Sequence, residues 1–157
     1  MKLGFDLDGV LCDIDVVTLH LMHKLTPEKE ELAELYYYTE RKPLLNPKNI
    51  MTEWDEYHII TGRHEGLADV TKRWVSKFLP DVKSLHIVGE AAWYKLAARA
   101  DDDAVWEEYA EKSIMNKVDK IIELGINFYI DDSVTNVRRL REELPDITVL
   151  QYGGRLR

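Results

Sequence analysis

The sequence predicts an α/β protein built on a doubly wound parallel sheet, and three observations carry that prediction. Five short apolar runs, Leu3 to Phe5, Tyr57 to Ile60, Leu85 to Val88, Phe128 to Ile130 and Ile147 to Leu150, have strand length and are bounded by Gly, Asp or Pro. Between them lie stretches whose apolar residues recur with helical spacing, and strands alternating with helices make a parallel sheet. Acids or a Thr-Gly pair follow three of the runs, at the strand ends where an open parallel sheet gathers its functional groups.

The first run leads into Asp6-Leu7-Asp8-Gly9-Val10. A strand puts residues i and i+2 on one face, so both carboxylates emerge together where Gly9 lets the chain turn sharply. That is the geometry of a nucleophile and a proton donor. From Ile14 to about Glu56 no strand is evident. Ile14, Val17, Leu21 and Leu25 form one helical stripe, and Thr26-Pro27 reads as an N-cap with proline at the first helical position of a helix through Leu32, Leu35 and Tyr36. Residues Arg41 to Lys48, with Pro43 and Pro47, form the loop back. Residues 14–56 are therefore expected to be a small helical cap inserted after the first strand of a single domain spanning 1–157.

The second run ends in Thr61-Gly62-Arg63 and precedes a helix with Leu67, Val70, Trp74 and Phe78 on one face. After the third run, Gly89 to Ser113 is longer than an ordinary strand-to-helix loop, and its Asp101 to Asp103 triplet reads as a solvated helix start. Lys117 opens a helical stretch whose stripe is Ile114, Val118, Ile121 and Ile122. The fourth run ends in Asp131-Asp132 and leads into a helix marked by Val134, Val137, Leu140 and Leu144. The plain reading of all these stripes is core.

Bulk composition narrows the function classes. A chain of 157 residues with 45% apolar and 32% charged residues folds as an ordinary globular protein. A net charge of −8 argues against a nucleic-acid polymer as partner, because backbone binding rests on positive charge. An anionic small molecule remains compatible if a divalent cation supplies local positive charge. The lone Cys12 makes no internal disulfide, Asp6 and Asp8 interrupt the N-terminal apolar run before it could act as a signal peptide, and no segment approaches the ~18 apolar residues of a membrane span. A cytoplasmic protein with no membrane partner is expected.

If the first strand lies between the second and the fourth, Asp6, Asp8, Thr61, Asp131 and Asp132 converge. Three or four carboxylates against one lysine repel one another unless a cation sits among them. All-oxygen, hard ligands suit Mg²⁺, which keeps several waters and takes a phosphate oxygen.

The ordered set Asp6/Asp8, Thr61, Lys117 and Asp131/Asp132, spread over positions 6 to 132, resembles the haloacid dehalogenase (HAD) superfamily of phosphatases. Ile-Ile-Thr-Gly-Arg (59 to 63) and Leu-Gly-Ile-x-x-x-Ile-Asp-Asp (124 to 132) look more particularly like its 5′(3′)-deoxyribonucleotidase branch. The resemblance implies a Mg²⁺-dependent phosphomonoesterase in which Asp6 attacks phosphorus and Asp8 serves as acid and then base. Thr61, Gly62 and Lys117 would hold the phosphoryl oxygens, while Asp6, the Asp8 carbonyl and Asp131 or Asp132 hold the metal. A small phosphorylated substrate is expected, a nucleoside monophosphate in first place.

Simpler roles stand beside these. Thr61 could cap a helix, as could one of Asp131 and Asp132. Lys95, Lys112 and Lys120 rival Lys117, which is preferred for lying fourteen positions before Asp131, as in the family it resembles. Arg63 could clamp a substrate phosphate or pair with Glu65. Cys12 reads as small buried packing, and His20 and His23, three apart on a helix, lack an evident third ligand. Trp54 and Tyr36 to Tyr38 are packing candidates, although an aromatic in the cap could stack on a base. A signalling receiver domain uses similar groups, but its acid pair comes first whereas here it comes last. A non-catalytic binding module would require a damaged site, and none of the four motifs is missing.

Overall fold

A computed structural model describes residues 1–100 and 102–153. All five expected strands are present: β1 (Lys2–Phe5), β2 (Glu56–His64), β3 (Ser84–Gly89), β4 (Phe128–Asp131) and β5 (Thr148–Gln151). They form one all-parallel sheet in the order β3-β2-β1-β4-β5, so β1 does lie between β2 and β4. The chain leaves the centre in one direction through β2 and β3, then crosses back to β4 and β5. The strand order reverses beside β1.

Helices cover both faces because successive strand residues point to opposite sides. On one side Phe5, Ile59 and Ile130 pack against Trp74 and Val75 of the helix Ala68–Phe78, numbered α3 because two helices precede it in the chain. On the other, Ile60, Tyr129 and Val149 meet Ile114, Val118 and Ile121 of helix α5 (Asp103–Leu124), and Val137 and Leu140 of helix α6 (Val134–Glu143). Two members of the expected stripes fall outside this core: Ile122 and Val134 are exposed. Each sits at the edge of its apolar arc, where a shift of one residue turns the side chain to solvent.

The insertion between β1 and β2 is helical, with α1 (Val16–Met22) and α2 (Pro27–Thr39) followed by a short 3-10 turn at Pro47–Asn49. Thr26 is the N-cap of α2 and Pro27 its first residue, as the sequence indicates. The buried face is different from the expected one. Val17, Leu21, Leu25, Leu32, Leu35 and Tyr36 are exposed, while Met22, Tyr37 and Tyr38 pack with Leu67 and Val70, and Glu34 is buried beside them. The long stripe from Ile14 to Leu25 cannot act as one surface because α1 stops after seven residues and the chain turns at Met22. In α2 two apolar arcs compete, and contact with α3 selects the one carrying Tyr37 and Tyr38.

The segment after β3 is also helical. It forms α4 (Ala91–Ala100) and the first three turns of α5, whose N-cap Asp102 accepts a hydrogen bond from the Ala104 N–H at 2.9 Å. The helix start at this acidic run is therefore present, with Asp101 lying outside the described residues. Lys117 does not open a helix as expected but sits deep within the 22-residue α5, which ends at Gly125 in the left-handed conformation (φ 65°). Among the described residues, no helix is long and apolar enough to cross a membrane.

Candidate active site

Beyond Phe5 the chain folds into a tight loop. Leu11 and Cys12 donate backbone hydrogen bonds to the Leu7 carbonyl, and Gly9, at φ 79°, donates to Cys12. A side chain at that φ would be strained, so glycine permits the loop. Leu7, Val10, Leu11 and Cys12 are buried beneath it, and Asp6 is pinned to β4 by its N–H bond to the Ile130 carbonyl at 2.8 Å. The loop thus holds Asp6 and Asp8 at the carboxyl ends of β1 and β4, at the point of strand-order reversal. Burial pushes the Cys12 thiol up to about 12, which keeps it protonated and suits packing rather than catalysis.

The strand β2 runs four residues past its expected end, so Thr61, Gly62 and Arg63 lie within it rather than in a loop or at a helix cap. The β2–β3 register shifts between Thr61 and His64, and Gly89 allows the shift: a Cβ there would lie 2.3 Å from the Gly62 carbonyl oxygen and 2.6 Å from that of Arg63. Such a bulge re-aims the backbone at the strand end. Asp6, Asp8, Thr61, Gly62, Arg63 and Lys117 all line one cleft of about 370 Å³.

Within that cleft the ion pairs are specific. Lys117 donates to Asp131 at 2.7 Å and lies 3.1 Å from Asp6, and all three side chains are buried. Burial alone would lower the Lys117 ammonium, but Asp131 and Asp6 hold it well above its ordinary value. Asp131 also accepts from the Ser133 N–H at 2.9 Å and from the Asn136 amide, while Ser133 caps α6. The sequence rivals of Lys117 are thereby distinguished: Lys112 and Lys120 pair with Glu90 and Glu123 away from Asp6.

Arg63 pairs with Asp8 and not with Glu65. Its guanidinium grips Asp8 in a two-point pair (Nη2 to Oδ1 2.6 Å, Nε to Oδ2 2.9 Å), donates to Thr71, and sits over the Tyr38 ring at 4.1 Å. Glu65 instead accepts from the Ala91 N–H at the start of α4. Arg63 is buried, and the Asp8 pair holds it above the ordinary arginine value despite the opposing effect of burial. The planar fork of arginine matches a carboxylate at two points, which lysine cannot do.

The remaining carboxylates form a second kind of group. One ligand oxygen from each of Asp6, Asp131 and Asp132 lies within 4.8 Å of the others, and all three residues are buried. Burial raises the Asp6 pKa, Asp131, Asp8 and Asp132 add to the rise, and Lys117 opposes it. One ammonium cannot neutralise three buried acids, so an oxygen-seeking divalent cation fits this cluster. The Asp8 carboxylate, held by Arg63, stands outside it.

Several residues that line the cleft escaped the sequence reading. Tyr94, Trp106 and Tyr109, from α4 and α5, form an aromatic wall with pairwise ring centroids 5.9 to 6.0 Å apart, joined by His64 and Asn136. Trp54 and Tyr36, named as stacking candidates, point to solvent, and Tyr37 is spent on a hydrogen bond from the Asp15 N–H at 2.6 Å. Tyr38 alone of that group reaches the cleft. The unusual length and aromatic content of 89–113 was the one available signal.

No protein-family model matches the chain, and comparison with curated proteins gave no match. Among solved structures it resembles a HAD family enzyme from Bacteroides thetaiotaomicron, with a TM-score of 0.54 and 13% identity over 98% of this chain and 94% of that one. At that identity the likeness establishes a shared fold.

Proposed function

We propose that this chain is a phosphomonoesterase of the HAD type, acting on a small phosphorylated metabolite through a covalent aspartyl phosphate on Asp6, with a nucleoside monophosphate as the favoured substrate. The observation that carries the reading is the buried Asp6 carboxylate at the cleft, 3.1 Å from the Lys117 ammonium and within one cluster with Asp131 and Asp132. The shared fold with a HAD family enzyme supports it.

In this reading the site works by positioning and charge neutralisation, the main demands of phosphoryl transfer. Thr61, Gly62 and Lys117 receive the phosphoryl oxygens. An Asp6 oxygen attacks phosphorus in line, the bond from phosphorus to the leaving oxygen breaks, and Asp8, once it has taken up a proton and swung one oxygen free of the Arg63 pair, gives that proton to the departing alkoxide. Water then attacks phosphorus, passes a proton to Asp8, and frees Asp6 and inorganic phosphate. Mg²⁺, held by Asp6, the Asp8 carbonyl and Asp131 or Asp132, would supply positive charge to the phosphoryl group. Arg63 acts indirectly, fixing Asp8 at the cleft. The insertion carrying α1 and α2 serves as a cap that contributes Tyr38 and Glu34 to the same cleft.

The aromatic wall favours a nucleotide over a sugar phosphate, because a nucleobase offers a π face to Tyr94, Trp106 and Tyr109. A Mg²⁺-supplemented phosphatase screen across nucleoside monophosphates, sugar phosphates and aryl phosphates tests the class. Hydrolysis with acid-stable, hydroxylamine-labile phosphate trapped on Asp6 is the expected result. No hydrolysis of any phosphomonoester, or labelling that survives Asp6→Asn, would overturn it.

A further inference from the structure

A second group of metal-ligating side chains lies outside the Asp6 cluster, at the seam between the β1–β2 insertion and the sheet. One ligand atom each of His23, Glu30 and Glu34 falls within 4.8 Å of the others. His23 follows α1, both glutamates lie one turn apart on α2, and the wall opposite is β2. From that wall His64 faces Glu34, just beyond the spacing that joins the other three. Its side chain is 6% exposed, neither ring nitrogen makes a hydrogen bond, and its Nε2 stands 3.7 Å from Glu34 Oε2.

That spacing is informative. It is too long for a hydrogen bond, whereas two ligand atoms each ~2.0–2.1 Å from a tetrahedral zinc lie about 3.4 Å apart. The neighbours support the same reading. Tyr94 donates to Glu34 Oε1 at 2.7 Å and stacks on the His64 ring at 4.4 Å, fixing a ligand carboxylate and an imidazole from outside. His23 Nδ1 lies 2.8 Å from Glu30 Oε1, and Tyr94 Oη is 3.1 Å from the same nitrogen. An adjoining recess of about 190 Å³, lined by Glu28, Glu30, Glu31 and Glu34 with His64, offers a strongly anionic entry path. Imidazole nitrogen in the donor set favours zinc-class ions, in contrast to the all-oxygen Asp6 cluster.

We propose that His23, Glu30 and Glu34, completed by His64, form a second cation site of the zinc class that ties the β1–β2 insertion to β2. His64 directly follows Arg63, the partner of Asp8, so an ion here would brace the segment that positions the cleft residues. The inference stands on its own residues and does not depend on the phosphatase reading.

The test is a Zn²⁺ titration of the metal-stripped full chain against a chromophoric chelator, in excess Mg²⁺ to fill the all-oxygen cluster. One equivalent of Zn²⁺ is expected, with a rise in Tm, and Co²⁺ in its place should give the visible bands of a four-coordinate ion. His23→Ala and Glu30→Gln remove half-buried groups that the fold tolerates, and circular dichroism checks this. Each should weaken Zn²⁺ by more than the ~10–100-fold that outer partners of a ligand are worth. His64→Gln should alter the Co²⁺ bands, whereas Asp131→Asn should leave Zn²⁺ affinity unchanged. No stoichiometric Zn²⁺, Zn²⁺ lost only in Asp131→Asn, or Co²⁺ bands indifferent to His64→Gln overturns the site as described.

Discussion

Asp6 carries two burdens at once, since burial that would suit the proposed nucleophile also disfavours its charge. Its folded pKa is raised above the ordinary value of 3.8, so the native state holds a proton more tightly than the unfolded chain. Stability therefore falls as pH rises through 3.8 toward the raised value. Asp6→Asn should abolish turnover yet raise the Tm of chelator-treated protein at pH 7, with that gain vanishing below about pH 3.8, where the carboxyl is protonated in both states. Calorimetry across pH reads this, and a gain that persists undiminished at pH 3 would refute the assignment of cause. Arg63 is the opposite case, a buried group whose value lies in its partner. Arg63→Ala leaves Asp8 unpaired and Tyr38 uncovered, and should cost about 3–5 kcal/mol in urea unfolding. Arg63→Lys restores charge without the two-point fork, so its kcat should stay well below wild type even where folding recovers. Wild-type kcat in that variant would show that the fork does not matter.

Among the elements, the bulged end of β2 and the long α5 decide the shape of the cleft. Gly89→Ala would drive a Cβ into two backbone carbonyls of β2, where no side chain can swing away. The β2 bulge must open, displacing Thr61 and Gly62; a loss of about 1–3 kcal/mol together with most of the proposed phosphatase activity is expected. Unfolding and kinetics on one preparation check it, and normal activity would mean that the bulge does not position those groups. The wall built by α4 and α5 has a different signature. If Trp106 stacks on a base, Trp106→Ala removes ~1–3 kcal/mol of binding, or about 5- to 150-fold in kcat/KM for a nucleotide, while an aryl phosphate is affected far less. Equal losses on both substrates would reduce the wall to packing. The exposed face of α1 and α2 shows why such walls are hard to foresee: their apolar residues recur on two arcs, and periodicity alone cannot say which arc another helix will cover.

For the whole molecule, the cation is the most accessible variable. EDTA should silence activity and Mg²⁺ restore it, whereas Ca²⁺, which favours a larger and looser oxygen shell, should not; full turnover in excess chelator would end the case for a metal at Asp6, Asp131 and Asp132. The sequence by itself determined the five strands, their parallel sheet, and the placing of Asp6, Asp8, Thr61 and Asp131 past strand ends, where they converge once β1 lies between β2 and β4. Those follow from short-range periodicity and from the rule that open parallel sheets collect their functional groups past the strand ends at a topological switch. Only the tertiary structure decided that Arg63 belongs to Asp8, 55 residues away, that Glu34 lies between His23 and His64, and that Tyr94, Trp106 and Tyr109 rather than Trp54 line the cleft. The physical reason is common to all three. Which side chains meet across a seam between packed helices and a sheet depends on rotation about each helix axis and on strand register. Both are fixed by the competition among all apolar faces for a limited interior, which no local stretch of sequence records.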